Sequence, residues 1–78
     1  MNIEIYTTKT CAYCVRAKSL LKNIGLAYTE TDVSTDTDKA IEIAKRSGQR
    51  TVPQIFIDGR SIGGFTELAQ LNRAGQLI

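Results

Sequence analysis

Apolar and polar positions recur along this chain with two different periods, and the switches between them mark out seven segments. Ile3-Glu4-Ile5-Tyr6 is a short alternating, β-prone run that ends in a polar loop, Thr7-Thr8-Lys9-Thr10. From Ala12 to Ile24 the apolar residues Cys14, Ala17, Leu21 and Ile24 recur at steps of three or four. Arg16, Lys18, Lys22 and Asn23 take the other face. That spacing predicts an amphipathic helix, with Gly25 placed to end it. Tyr28-Thr29-Glu30-Thr31-Asp32-Val33 reads as a second strand, one helix after the first, the arrangement of a right-handed βαβ unit.

The second half of the chain follows a different plan. Ser34-Thr35-Asp36 offers caps for a second helix, whose apolar positions Ala40, Ile41, Ile43 and Ala44 stop at Ser47-Gly48. Ile55-Phe56-Ile57 and Arg60-Ser61-Ile62 flank Asp58-Gly59, a pair that tolerates the positive φ a two-residue hairpin turn requires. Gly63-Gly64 breaks the chain again before a last helix with Leu68 and Leu71 inward and Gly75 as its stop. The tail Gln76-Leu77-Ile78 is too short to assign. The sum is βαβ followed by ββα, an α/β fold with mixed strand directions, in one domain spanning residues 1–78.

Composition narrows the function classes. At 78 residues the chain has room for a single small core. A hydrophobic fraction of 42% and a charged fraction of 23% exclude disorder and low-complexity polymers. Ten basic against eight acidic residues give +2, too weak a balance to argue for nucleic acid. No apolar run approaches the ~20 residues of a membrane span. Met1-Asn2-Ile3-Glu4-Ile5 has neither the basic flank nor the apolar stretch of a secretory leader, so cytoplasmic residence is expected.

The two cysteines, Cys11 and Cys14, allow a staple, a metal site or redox chemistry. With no histidine, one chain cannot offer four Cys/His ligands to a structural zinc. A staple closing so small a loop is worth about 2 kcal/mol on the chain-entropy model, and cytosolic disulfides rarely serve that purpose. Redox chemistry leads.

The position of Cys11-Ala12-Tyr13-Cys14 matters more than its spacing. It lies where the loop after the first strand becomes the first helix, and a helix start presents unpaired N–H groups and a partial positive charge that favour thiolate over thiol. Cys11 is therefore expected to be the nucleophile. Cys14, one turn on and within the apolar stripe, is expected to be the buried resolving thiol. Lys9, Arg16 and Lys18 flank the motif, with no acidic residue between Ile5 and Tyr28. Lys18 reads as part of a solvated face. Lys9, two residues from Cys11, reads as helping the thiolate or an anionic substrate. Tyr13, opposite the core stripe, offers a contact surface for substrate. Pro53 must stand at a strand's edge, start or bend, and a trans bond before it is the ordinary expectation.

Cys11-Ala12-Tyr13-Cys14, Thr51-Val52-Pro53 and Gly63-Gly64, in this order and over nearly the whole chain, resemble a glutaredoxin of the small dithiol bacterial type. The resemblance implies a thioredoxin-like fold, a four-stranded mixed sheet of order 2-1-3-4 flanked by three helices, with Val52–Pro53 cis and facing Cys11. It implies a glutathione-dependent thiol–disulfide oxidoreductase that reduces protein disulfides and glutathionylated proteins, with glutathione as co-substrate and no tightly bound cofactor or metal. Lys9 with Gln49 or Arg50 would meet the glycine carboxylate. Thr51 and Val52, beside Pro53, would pair by backbone with the cysteine portion, and Tyr13 would flank the sulfur. Gly64, Phe65 and Thr66 would hold the γ-glutamyl end at a helix start. A monomer is expected, with neither nucleic acid nor membrane as partner.

Two departures from the family pattern bear on function. Ala12 stands where the family commonly has proline, which leaves the turn less rigid and restores an N–H. Phe65-Thr66-Glu67 follows the glycine pair, where aspartates are frequent. Ala12 also keeps open a [2Fe–2S] carrier, with Cys11 from each of two chains and two glutathione thiols as ligands. A redoxin recycled by thioredoxin reductase is the remaining alternative.

Overall fold

The computed structural model describes residues 1–77; Ile78, the end of the tail and of the expected domain, lies outside the described residues. The elements run β1 (Ile3–Thr7), α1 (Ala12–Asn23), β2 (Thr29–Asp32), α2 (Thr37–Ser47), β3 (Gln54–Ile57), β4 (Arg60–Gly63) and α3 (Phe65–Arg73). The strands form one sheet in the order β2-β1-β3-β4. β1 pairs parallel with β2 and antiparallel with β3, and β3 pairs antiparallel with β4. This is the mixed sheet with three helices that the resemblance implies.

Strand periodicity distributes the core over both sheet faces. Ile3, Ile5 and Ile55 point to one face and pack with Ala17 and Leu21 of α1, Leu68 of α3 and Leu77. Tyr6 and Phe56 point to the other face and pack with Val33 and Ile43 of α2. The Tyr6 and Phe56 rings meet edge to face at 5.6 Å, and the Arg46 guanidinium covers Phe56 at 4.4 Å. The larger cluster, under α1 and α3, fixes the position of the α1 N-terminus relative to β1 and β3.

Local chemistry sets the boundaries. The Asp36 carboxylate caps α2 by accepting from the Lys39 amide at 3.0 Å, and Gly48 ends that helix at φ 76°. Asp58 and Gly59 take φ 51° and 84° in the hairpin turn, as the Asp-Gly pair predicts.

Three placements differ from the sequence pattern. Thr7 belongs to β1, not to the loop: it pairs with Asp32 and is buried, because its hydroxyl donates to Glu30 Oε2 at 2.8 Å. β2 is shorter than the β-prone run around it, covering only Thr29–Asp32. Ile41 is half exposed although Ile43 is buried, since positions two apart on a helix lie on nearly opposite sides and α2 packs on one side only.

Candidate active site

β1 delivers the chain through a three-residue loop to the start of α1, and Cys11 is the residue that caps this helix. Its backbone is extended (φ −94°, ψ 108°), so its side chain folds back over the first turn and its sulfur receives the Cys14 amide at 3.1 Å. No acidic residue occupies that turn to oppose negative charge on the sulfur. From the other side, the Cys11 thiol lies 3.6 Å from the Val52 carbonyl oxygen, placed to donate to it. Cys11 is partly exposed, while Cys14 is 1% exposed. Burial pushes the Cys14 thiol up to about 12, and its contact with Cys11 adds to that. Both thiols are free. The pair is thus asymmetric, one sulfur accessible and held at a helix start, the other sealed beneath it.

A cleft of about 570 Å³ opens at Val52, whose carbonyl faces the Cys11 thiol, although Cys11 itself does not line it. Tyr13, Gln49, Arg50, Thr51, Val52, Pro53, Gly64, Phe65 and Thr66, which the resemblance brings to one site, all line it, together with Glu67. Lys9 does not. It stays in the loop before Cys11, and its amide donates to Ser34 Oγ at 2.9 Å. The Val52–Pro53 bond is cis, against the ordinary expectation for X–Pro and in line with the resemblance. Gly64 passes so close to Pro53 that a Cβ there would sit 3.1 Å from the Pro53 carbonyl oxygen. At Gly63, φ is 106° and the Glu67 carboxylate fills the place of a side chain.

The cleft has an aromatic end and a charged end. Tyr13, 54% exposed, meets the Phe65 ring at 6.0 Å, and Arg16 lies over the Tyr13 ring at 5.1 Å. At the other end stands Arg50. Ion pairs among the described residues join Lys18 to Glu30 and Lys39 to Glu42, so the Arg50 guanidinium has no carboxylate within 4.0 Å there. The start of α3 is occupied in part: Glu67 Oε1 accepts from the Gly64 amide at 2.7 Å. Among the described residues, no group of three or more His, Cys, Asp or Glu side chains is placed to hold a metal ion.

Two contributors carry no sequence signal. Gln54 is buried at the start of β3, and its Nε2 donates to the Gln49 carbonyl at 2.7 Å, tying the 49–51 loop to the sheet. Lys18 is not a freely solvated cation: its Nζ lies 3.0 Å from Glu30 Oε2, on β2. The first contact emerges only when the 49–51 loop is placed over β3, the second only when α1 is placed beside β2.

With this geometry in place, comparison with known proteins is unambiguous. The family model described as Glutaredoxin matches residues 3–62. Glutaredoxin 3 of Escherichia coli (strain K12) is 49% identical over 76 residues, covering 97% of this chain and 92% of the relative. Glutaredoxin 1 of Rickettsia conorii is 44% identical over 78 residues, covering 97% and 76%. Among solved structures, glutaredoxin from Brucella melitensis superposes with a TM-score of 0.85 at 40% identity, covering 99% of this chain and 84% of that one. A buckwheat glutaredoxin–glutathione complex superposes with a TM-score of 0.87 at 31% identity, covering 96% and 71%. No described helix is long and apolar enough to cross a membrane.

Proposed function

This chain belongs to the glutaredoxin family, and we propose that its cleft receives glutathione with the sulfur directed at Cys11, all within a single domain. The protein is a glutathione-dependent thiol–disulfide oxidoreductase with Cys11 and Cys14 as its redox pair. What supports the finer assignment is the sulfur of Cys11, seated on the Cys14 amide and facing the carbonyl of Val52, a residue that lines the cleft.

Cys11 attacks the glutathione sulfur of a glutathionylated protein. A Cys11–glutathione disulfide forms, and the protein thiolate leaves with the electron pair. The thiolate of a second glutathione then attacks that adduct, releasing oxidised glutathione and restoring Cys11. With a protein disulfide, Cys11 bonds to one substrate sulfur and Cys14 attacks Cys11, expelling the substrate as a dithiol. Two glutathione molecules reduce the resulting Cys11–Cys14 disulfide. The amides at the start of α1 stabilise the Cys11 sulfur each time it becomes the leaving group.

In the cleft, Thr51 and Val52, beside Pro53, offer backbone to the cysteine portion of glutathione. Gln49 and Arg50, with Lys9 reaching from the neighbouring loop, take the glycine carboxylate. Gly64, Phe65 and Thr66 hold the γ-glutamyl carboxylate at the start of α3, and Tyr13 covers the sulfur. A compartment with a reduced glutathione pool, the cytoplasm, suits this cycle.

A coupled assay with glutathione, glutathione reductase and NADPH on a glutathionylated peptide tests the reading. Turnover that depends on glutathione and vanishes in Cys11→Ser supports it; turnover supported only by thioredoxin reductase contradicts it.

A further inference from the structure

The loop that carries Cys11 rests on a polar cluster that the mechanism above does not use. One carboxylate oxygen, Glu30 Oε2, joins three elements: Thr7 Oγ1 of β1 donates to it at 2.8 Å and Lys18 Nζ of α1 reaches it at 3.0 Å. Thr7 is 2% exposed and is followed by Thr8, whose backbone faces the Cys14 sulfur. Lys18 stands four residues after Cys14 on the same helix, so the two side chains share a face with Cβ atoms ~5–6 Å apart. The clamp on Glu30 thus fixes the ammonium at the seam of α1 and β2, one helical turn from the buried thiol, rather than leaving it to sweep through solvent.

We infer that Lys18 is a positioning residue for the second half of the reaction, its fixed ammonium favouring loss of the Cys14 proton when Cys14 attacks Cys11. The inference rests on the dithiol cycle above. In that step the Cys14 thiolate attacks the Cys11 sulfur of a mixed disulfide, the Cys11–Cys14 bond forms, the partner thiolate departs with the electron pair, and the Cys14 proton passes to solvent. The obstacle is burial, which opposes the Cys14 thiolate most; the hydrogen bond and charge of Cys11 add to it. Both Cys11 contributions end once that sulfur is covalently bonded. What then faces Cys14 in favour of its thiolate is the Thr8 backbone and the charge of Lys18. Lys18 itself faces Glu30 and Tyr28, and Glu30 stands beside Asp32 on β2, so the cation is retained at neutral pH.

Stopped-flow reaction of the reduced protein with a symmetric nitrobenzoate disulfide separates the two steps without glutathione. The first nitrothiobenzoate released reports attack by Cys11, and the second reports closure by Cys14. In Lys18→Gln the first release keeps its wild-type rate, which also certifies the fold. The second slows about three- to tenfold, the equivalent of half to one pKa unit at Cys14, and its pH dependence moves upward. Lys18→Arg restores closure. A second release at the wild-type rate with an unchanged pH dependence, or equal slowing of both releases, overturns the inference. Absence of glutathione-dependent turnover in the wild-type protein, with its two releases proceeding in sequence, counts against the glutathione reading instead.

Discussion

The amide of Cys14 points at the sulfur of Cys11 from 3.1 Å, so the first turn of α1 supplies to its own capping residue the hydrogen bond that a serine or aspartate cap would otherwise take. The same contact brings the two redox partners together and ranks them. The residue whose sulfur receives the amide is partly exposed; the residue that donates it is sealed in the core.

That ranking divides the two activities. Cys11→Ser abolishes both deglutathionylation and protein-disulfide reduction. Cys14→Ser retains the first and loses most of the second, because only the second needs a resolving thiol. Parallel steady-state assays on a glutathionylated peptide and a disulfide-bonded protein check this, and equal loss of both activities in Cys14→Ser contradicts it.

The raised titration of Cys14 has a consequence for stability. Its folded value, about 12, lies above the 9.0 of an exposed thiol. Below pH 9 both folded and unfolded chains keep the proton, and this contribution to stability is complete. As pH rises from 9 toward 12 the unfolded chain releases the proton first, and the contribution is lost. The reduced protein therefore loses more melting temperature between pH 8 and pH 11 (about these values) than Cys14→Ser does. Thermal melts of the two proteins at both pH values measure the difference.

Gly64 is held by close approach, not by its own backbone angle. A methyl group there would press on the Pro53 carbonyl at 3.1 Å and shift the wall of the cleft. Gly64→Ala raises KM for glutathione about tenfold, the equivalent of about 1.4 kcal/mol of binding, with little change in kcat. An unchanged KM would show that this wall does not touch the substrate.

Gln54 anchors the 49–51 loop from below through the Gln49 carbonyl. Gln54→Leu fills the same space without the hydrogen bond. The expected cost is about 1 kcal/mol in urea denaturation, accompanied by a higher KM for glutathione as the loop loosens. Leu21→Ala, in the core under α1, is a contrasting case: a loss of about 2–5 kcal/mol with no selective effect on KM.

The architecture was legible because the periodicities are clean. Ala17 and Leu21 on the helical stripe, Asp58-Gly59 at the hairpin and Gly48 at a helix end each report a local rule, and the structure obeys each one. The cleft was legible through family resemblance rather than through composition, since nothing local says that residues 49–53 and 64–66 meet. What the pattern does not carry is long-range polar pairing. Thr7 reads as loop until Glu30 is seen to accept its hydroxyl, and Lys18 reads as a surface charge until parallel pairing of β1 and β2 brings Glu30 beneath it. Gln54 is a strand residue of no distinction until the loop above it is placed.

The measurement that bears most directly on this account is alkylation of the reduced protein with limiting iodoacetamide at neutral pH, followed by peptide mapping of the modified cysteine. The account predicts label on Cys11, with Cys14 unmodified until the protein is unfolded. Equal labelling of the two sulfurs, or faster labelling of Cys14, would contradict it.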